Sequence, residues 1–66
     1  MFEKIKDVRT AKGMSQVELA EKSGVSRFTI IALENGSLTD THFSTLLKLA
    51  NALEVTIDNL FFGDRV

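Results

Sequence analysis

Apolar residues along this 66-residue chain recur every three or four positions, and no stretch alternates in the two-residue rhythm of a strand. Phe2, Ile5 and Val8 predict a first helix over about Phe2–Lys12, with Gly13 as its stop. Ser15 followed three residues later by Glu18 has the form of a capping box and opens a second helix, Gln16 to about Lys22. Leu19 and Ala20 face inward on it, and Gly24 closes it. Ser26 is a good N-cap for a third helix, Arg27–Glu34, after which Gly36 suits a left-handed turn. Phe43, Leu46, Leu47, Ala50 and Leu53 form a broad apolar face for a fourth helix, about Thr41–Leu53, capped by Thr39 or Asp40. Thr56 caps a short fifth, about Ile57–Phe62. The fold class is all-α.

Composition narrows the partners this fold can have. A hydrophobic share of 44% and a charged share of 26% are those of a folded domain. A chain this short buries only about 60% of its unfolded surface. Cysteine is absent, so no disulfide or thiolate metal site braces it. Tight helix packing or self-association is the remaining remedy, so a homodimer is expected. No apolar run approaches the roughly 18 residues of a membrane span, and Met1-Phe2-Glu3-Lys4 has no signal-peptide character. The cytoplasm is the default location. No repeat, low-complexity run or linker interrupts residues 1–66, which read as one domain.

Charge argues against a nucleic-acid partner, since the net charge is −1 and such domains are commonly basic. Its distribution softens that objection. Lys4, Lys6, Arg9, Lys12, Lys22 and Arg27 in the first 35 residues face five acidic residues, while Lys48 and Arg65 beyond them face four.

The stretch from about Gln16 to Asn35 carries the chemistry. A small residue at Ala20 lets a second helix cross closely, and Gly24 permits a tight left-handed turn. Val25, Ile30 and Leu33 fill the angle between the two helices. The second helix then stands out as a ridge of a size that enters the roughly 12 Å major groove. At 100° per residue, Ile30 and Leu33 mark its buried side. Phe28, Ile31 and Ala32 point the other way, with Arg27 at the edge.

In these residues the chain resembles the Cro/phage-repressor type of helix-turn-helix protein, the XRE family. The motifs are Ser15-Gln16-x-Glu18-Leu19-Ala20, Gly24-Val25-Ser26 and Ile30-x-x-Leu33-Glu34-Asn35-Gly36. The likeness continues through Leu46-Leu47-Lys48-Leu49-Ala50-x-Ala52-Leu53 and Val55-Thr56-Ile57-Asp58-x-Leu60-Phe61, and so covers nearly the whole chain. The resemblance implies a compact five-helix lambda-repressor-like domain that binds double-stranded DNA and uses no cofactor. It implies DNA contact by Gln16, Ser26, Arg27, Phe28, Thr29, Ile31, Ala32 and Asn35. Gln16 would touch a phosphate and brace the recognition helix, and Asn35 would touch a phosphate and set register. Arg27 would hydrogen-bond a guanine edge. The family also places an ion pair between the positions of Arg9 and Glu34.

Two features depart from the family pattern. Phe28-x-x-Ile31-Ala32 is an apolar reading face where relatives often carry polar residues. Such a face packs against thymine methyls or marks a protein contact. The loop Ser37–His42 lacks the basic residues common there and carries Asp40, which predicts a modest salt dependence. His42 reads as an exposed helix-start residue. With one histidine and no cysteine, a metal site has no ligand set.

Ile57, Leu60, Phe61 and Phe62 require cover. Two adjacent phenylalanines on a short helix cannot both face one core, so these four are the candidate dimer interface. A twofold dimer would set two recognition helices about 34 Å apart on a palindrome. The leading reading is a homodimeric repressor. The alternative is an antitoxin or anti-repressor module whose main contact is a toxin or other regulatory protein. An enzyme is disfavoured: no nucleophile–base pair is visible, and Glu18 with Glu21 reads as a cap and a solvated charge.

Overall fold

The structure is a computed structural model that describes residues 2–62. Met1, Asp64 and Arg65, which entered the leader and charge readings, lie outside those residues. Five helices follow in order: α1 Lys4–Ala11, α2 Gln16–Ser23, α3 Arg27–Glu34, α4 Phe43–Leu53 and α5 Ile57–Phe62. Among the described residues there is no strand.

Each boundary has a local cause. At the start of α2, Ser15 Oγ accepts from the Glu18 amide at 3.1 Å, and Glu18 Oε1 accepts from the Ser15 amide at 2.8 Å. Gly24 ends α2 at φ 75°, in the left-handed region, and its amide donates to the Ala20 carbonyl at 2.9 Å. A β-carbon at that φ is strained, so the turn between α2 and α3 depends on glycine. Ser26 Oγ then accepts from the Phe28 amide at 3.2 Å and starts α3.

Two helices begin later than the apolar pattern suggests. The first starts at Lys4 rather than Phe2, because Glu3 supplies no side-chain cap and the Ile5 and Lys6 amides make tight i→i−3 bonds to Phe2 and Glu3. The fourth starts at Phe43 with His42 as its cap residue, and neither Thr39 nor Asp40 serves. The chain leaving α3 turns at Gly36, φ 83°, and the Leu38 amide returns to the Ala32 carbonyl at 3.0 Å. Leu38 packs on the core, which holds the residues after it outside any helix.

The core draws on every helix: Phe2, Ile5 and Val8; Leu19; Val25, Ile30 and Leu33; Leu46, Leu49, Ala50, Ala52 and Leu53; and Leu60. Helix α1 packs on α5 and α3, and α2 packs on α3 and α4. Fully burying a leucine or isoleucine contributes about 1.5–3 kcal/mol. Ile30 and Leu33, both fully buried, therefore fix the roll of α3 about its axis. The apolar face of α4 is narrower than its sequence suggests. Leu46, Leu49, Ala50 and Leu53 are buried, but Phe43 is 67% exposed and Leu47 is exposed beside it.

Candidate nucleic-acid interface

Helix α3 is presented by a brace at both ends. At its N-terminus stand the αL turn at Gly24 and the Ser26 cap. At its C-terminus, Arg9 of α1 grips Glu34 with two parallel bonds, Nε to Oε2 at 2.8 Å and Nη2 to Oε1 at 3.0 Å. The third arm of the guanidinium, Nη1, donates to the Met14 carbonyl at 2.8 Å. Gln16, the first residue of α2, donates its Nε2 to Glu34 Oε1 at 3.0 Å. Arg9 and Glu34 are each 7% exposed. The hydrogen bond to Glu34 holds the Arg9 pKa above its ordinary value, against the opposing effect of burial. No buried side-chain nitrogen or oxygen among the described residues lacks a partner. One carboxylate thus ties the end of α3 to α1 and to the start of α2.

With both ends held and Ile30 and Leu33 sealed inside, the opposite side of α3 is fixed outward. Phe28 stands at its crest, 84% exposed. Ile31 and Ala32 lie on either side of it, and Thr29 lies further round beyond Ala32, all three half-buried. Ser26 and Arg27 are exposed at the N-terminal end of the ridge. An α-helix with its side chains is about 10–12 Å across, which the roughly 12 Å major groove admits.

Gln16 and Asn35 flank the ridge in different states. A carboxamide carries two N–H donors, and Gln16 spends one on Glu34. Asn35 turns its Oδ1 into the following loop, accepting from the Ser37 amide at 2.8 Å and the Ser37 hydroxyl at 2.7 Å. Its side-chain NH2 is therefore the group it can offer to an anion. Glu18 places a fixed negative charge two residues after Gln16. Its pKa is lowered by the Ser15 backbone hydrogen bond and then by the Ser15 hydroxyl.

The four apolar C-terminal residues separate. Leu60 is 0% exposed and belongs to the chain's own core, so its side chain has no surface left for a partner. Phe61 is half-buried against Phe2, with ring centroids 5.1 Å apart. Ile57 is half-buried, and Phe62 is 58% exposed. Sequence reasoning did not single out the Met14 carbonyl, and it placed Phe43 and Leu47 on the apolar face of α4, where the structure leaves both exposed. The pair shares one flank at i,i+4 spacing, and α4's apolar stripe is wider than a single buried face, which was the available clue. His42 is exposed. Among the described residues no group of three His, Cys, Asp or Glu side chains is placed to hold a metal ion. No described helix is long and apolar enough to cross a membrane.

Two short helices joined by a tight glycine turn, the second projecting as a braced ridge, define a helix-turn-helix protein. The helix-turn-helix family matches residues 5–60. The chain is 38% identical over 64 residues to an uncharacterized HTH-type transcriptional regulator of Archaeoglobus fulgidus, covering 97% of this chain and 90% of that one. It is 39% identical over 61 residues to another from Methanocaldococcus jannaschii, covering 92% and 91%. With YgzD of Bacillus subtilis, also an uncharacterized HTH-type transcriptional regulator, it shares 32% over 62 residues, covering 94% and 92%. The chain belongs to the Cro/phage-repressor type, or XRE, family of helix-turn-helix transcriptional regulators, a DNA-binding class.

Proposed function

We propose that this protein is a sequence-specific repressor that acts in the cytoplasm as a homodimer on a palindromic operator, with α3 in the major groove. The observation that carries the reading is the outward set of α3. Its buried side is locked by Ile30, Leu33 and the Arg9–Glu34–Gln16 cluster, and its far side, crested by Phe28, is open. Arg27 supplies polar base contact at the near end, and Ser26, Thr29, Ile31 and Ala32 complete the reading surface. Gln16 and the Asn35 amide group flank it as phosphate contacts.

Reach supports the dimeric reading. The body measures 30 × 22 × 20 Å, while successive major-groove faces lie about 34 Å apart. One copy therefore reads one half-site. Phe62, with the half-buried Phe61 beside it at 6.2 Å between ring centroids and the half-buried Ile57 at the start of α5, is the surface we assign to the twofold contact, and Leu60 supports it from within.

A second reading rests on Phe28: an aromatic residue this exposed also suits a protein partner, as in an antitoxin or anti-repressor. Fluorescence anisotropy on duplexes from the region upstream of the protein's own gene separates the two. Arg27→Ala and Phe28→Ala are expected to weaken specific binding at least tenfold each while leaving the helical circular-dichroism spectrum unchanged. Unaltered binding by both variants would take the DNA-reading role away from this face.

A further inference from the structure

We propose that Phe28 reads the 5-methyl group of a thymine in each half-site, so that recognition by the crest of α3 is chiefly apolar. The inference rests on the DNA-binding role of α3 and names the chemistry of its target. Three observations lead to it.

The first is position. Phe28 lies opposite Ile30 and Leu33 around the helix, and Ala32 follows it one turn later on the same side. The residue at the crest of a ridge is the one that approaches the floor of the groove. The second is chemistry. A phenyl ring has neither donor nor acceptor, so it cannot read the hydrogen-bonding edge of guanine, adenine or cytosine. In the major groove the thymine methyl is the apolar group a base pair presents. Ile31 and Ala32 extend the same apolar surface, so a pyrimidine methyl meets a continuous wall there. The third is exposure. Phe28 is 84% exposed, more than any other large apolar side chain among the described residues, while the helix that carries it is braced at both ends. The ring is held out in water on a rigid support, and contact with a methyl removes both groups from water.

A methyl group gained or lost at an apolar contact changes affinity by about fourfold, and the two half-sites of a palindrome make that about fifteenfold. Arg27, at the edge of the same ridge, contributes by hydrogen bonding and is insensitive to the methyl. The two side chains are therefore separable.

The test uses the full chain and the tightest-binding duplex selected by it from a random-sequence pool. Deoxyuridine replaces thymine throughout that duplex, then one position at a time. For the wild-type protein the fully substituted duplex is expected to bind about fifteenfold more weakly. The loss should concentrate at one symmetric pair of positions, and restoring the methyl at that pair alone should restore binding. Phe28→Ala is expected to bind thymine and uracil duplexes equally, whereas Arg27→Ala keeps the discrimination. Phe28→Leu should retain part of it, which controls for any effect of truncation on folding. Equal affinity of the wild type for thymine and uracil duplexes overturns the methyl reading and leaves the DNA-binding role standing. Discrimination that survives in Phe28→Ala also overturns it. If the pool yields no duplex bound above background, the DNA-binding role falls and the methyl reading with it.

Discussion

Glu34 is the residue on which the presentation of α3 depends. Its carboxylate takes three hydrogen bonds, two from Arg9 and one from Gln16, in a site nearly closed to water. Removing one member of such a pair leaves a buried charge uncompensated, at about 3–5 kcal/mol. Arg9→Met is therefore expected to lower the thermal midpoint by more than 10 °C, since about 1 kcal/mol moves a domain of this size by some 4–8 °C. Replacing both, as Arg9→Met with Glu34→Leu, should recover much of the loss, because no orphaned charge remains. A double mutant as unstable as Arg9→Met would show that the bonds themselves, and not the desolvated charge, set the cost. Glu18 gives the same domain a pH dependence. Its folded pKa is depressed by Ser15, so its contribution is present above the ordinary carboxylate range and is lost as pH falls through the lower, folded value. Glu18→Gln should flatten the fall in stability on acidification; an unchanged slope would remove the cap as its source. Arg9 has a raised pKa, so its contribution holds below the ordinary arginine value and is lost only as pH rises beyond it, outside the accessible range.

At the scale of the element, what was legible in the sequence was what is local. Ser15 with Glu18, Ser26 and Gly24 act within one turn of chain, and α2 and α3 begin where those residues put them. The start of α4 was not legible, because Thr39 and Asp40 are sound caps in isolation and lose to the anchoring of Leu38 on the core. Nor was the sorting of the C-terminal residues: Leu60 and Phe62 are equally apolar on paper. Only the packing of α5 on α1 decides that one is sealed and the other open. Gln16 reaching Glu34 is likewise tertiary, across a sequence separation of 18. One element carries an avoidable strain. Glu54 ends α4 at φ 59°, the one non-glycine residue with positive φ among the described residues. Glu54→Gly is expected to stabilise the protein by about 1 kcal/mol, seen as a rise of several degrees in the thermal midpoint. A fall would mean that the side chain makes up for its conformation elsewhere.

At the scale of the whole molecule, charge and size set how binding is achieved. The net charge is −1, Arg9 is neutralised internally, and of the exposed described cations only Arg27 stands on α3. Two or three phosphate contacts per copy predict a log–log salt slope no steeper than about −5 for a dimer. A slope near −10 would require most of the exposed lysines Lys4, Lys6, Lys12, Lys22 and Lys48 to meet phosphates as well. Phe62→Asp is expected to shift sedimentation from dimer to monomer and to weaken operator binding without altering the fold, and a dimer that survives it would move the twofold contact elsewhere, with Phe43 and Leu47 as the exposed apolar alternative. If the outer face of α3 is the DNA-reading surface, amide chemical-shift mapping of the labelled protein titrated with its selected duplex locates the contact there. The largest perturbations are expected on Gln16, Ser26–Ala32 and Asn35. Perturbations concentrated on Phe43–Leu47 or α5, with α3 unmoved, would contradict that assignment.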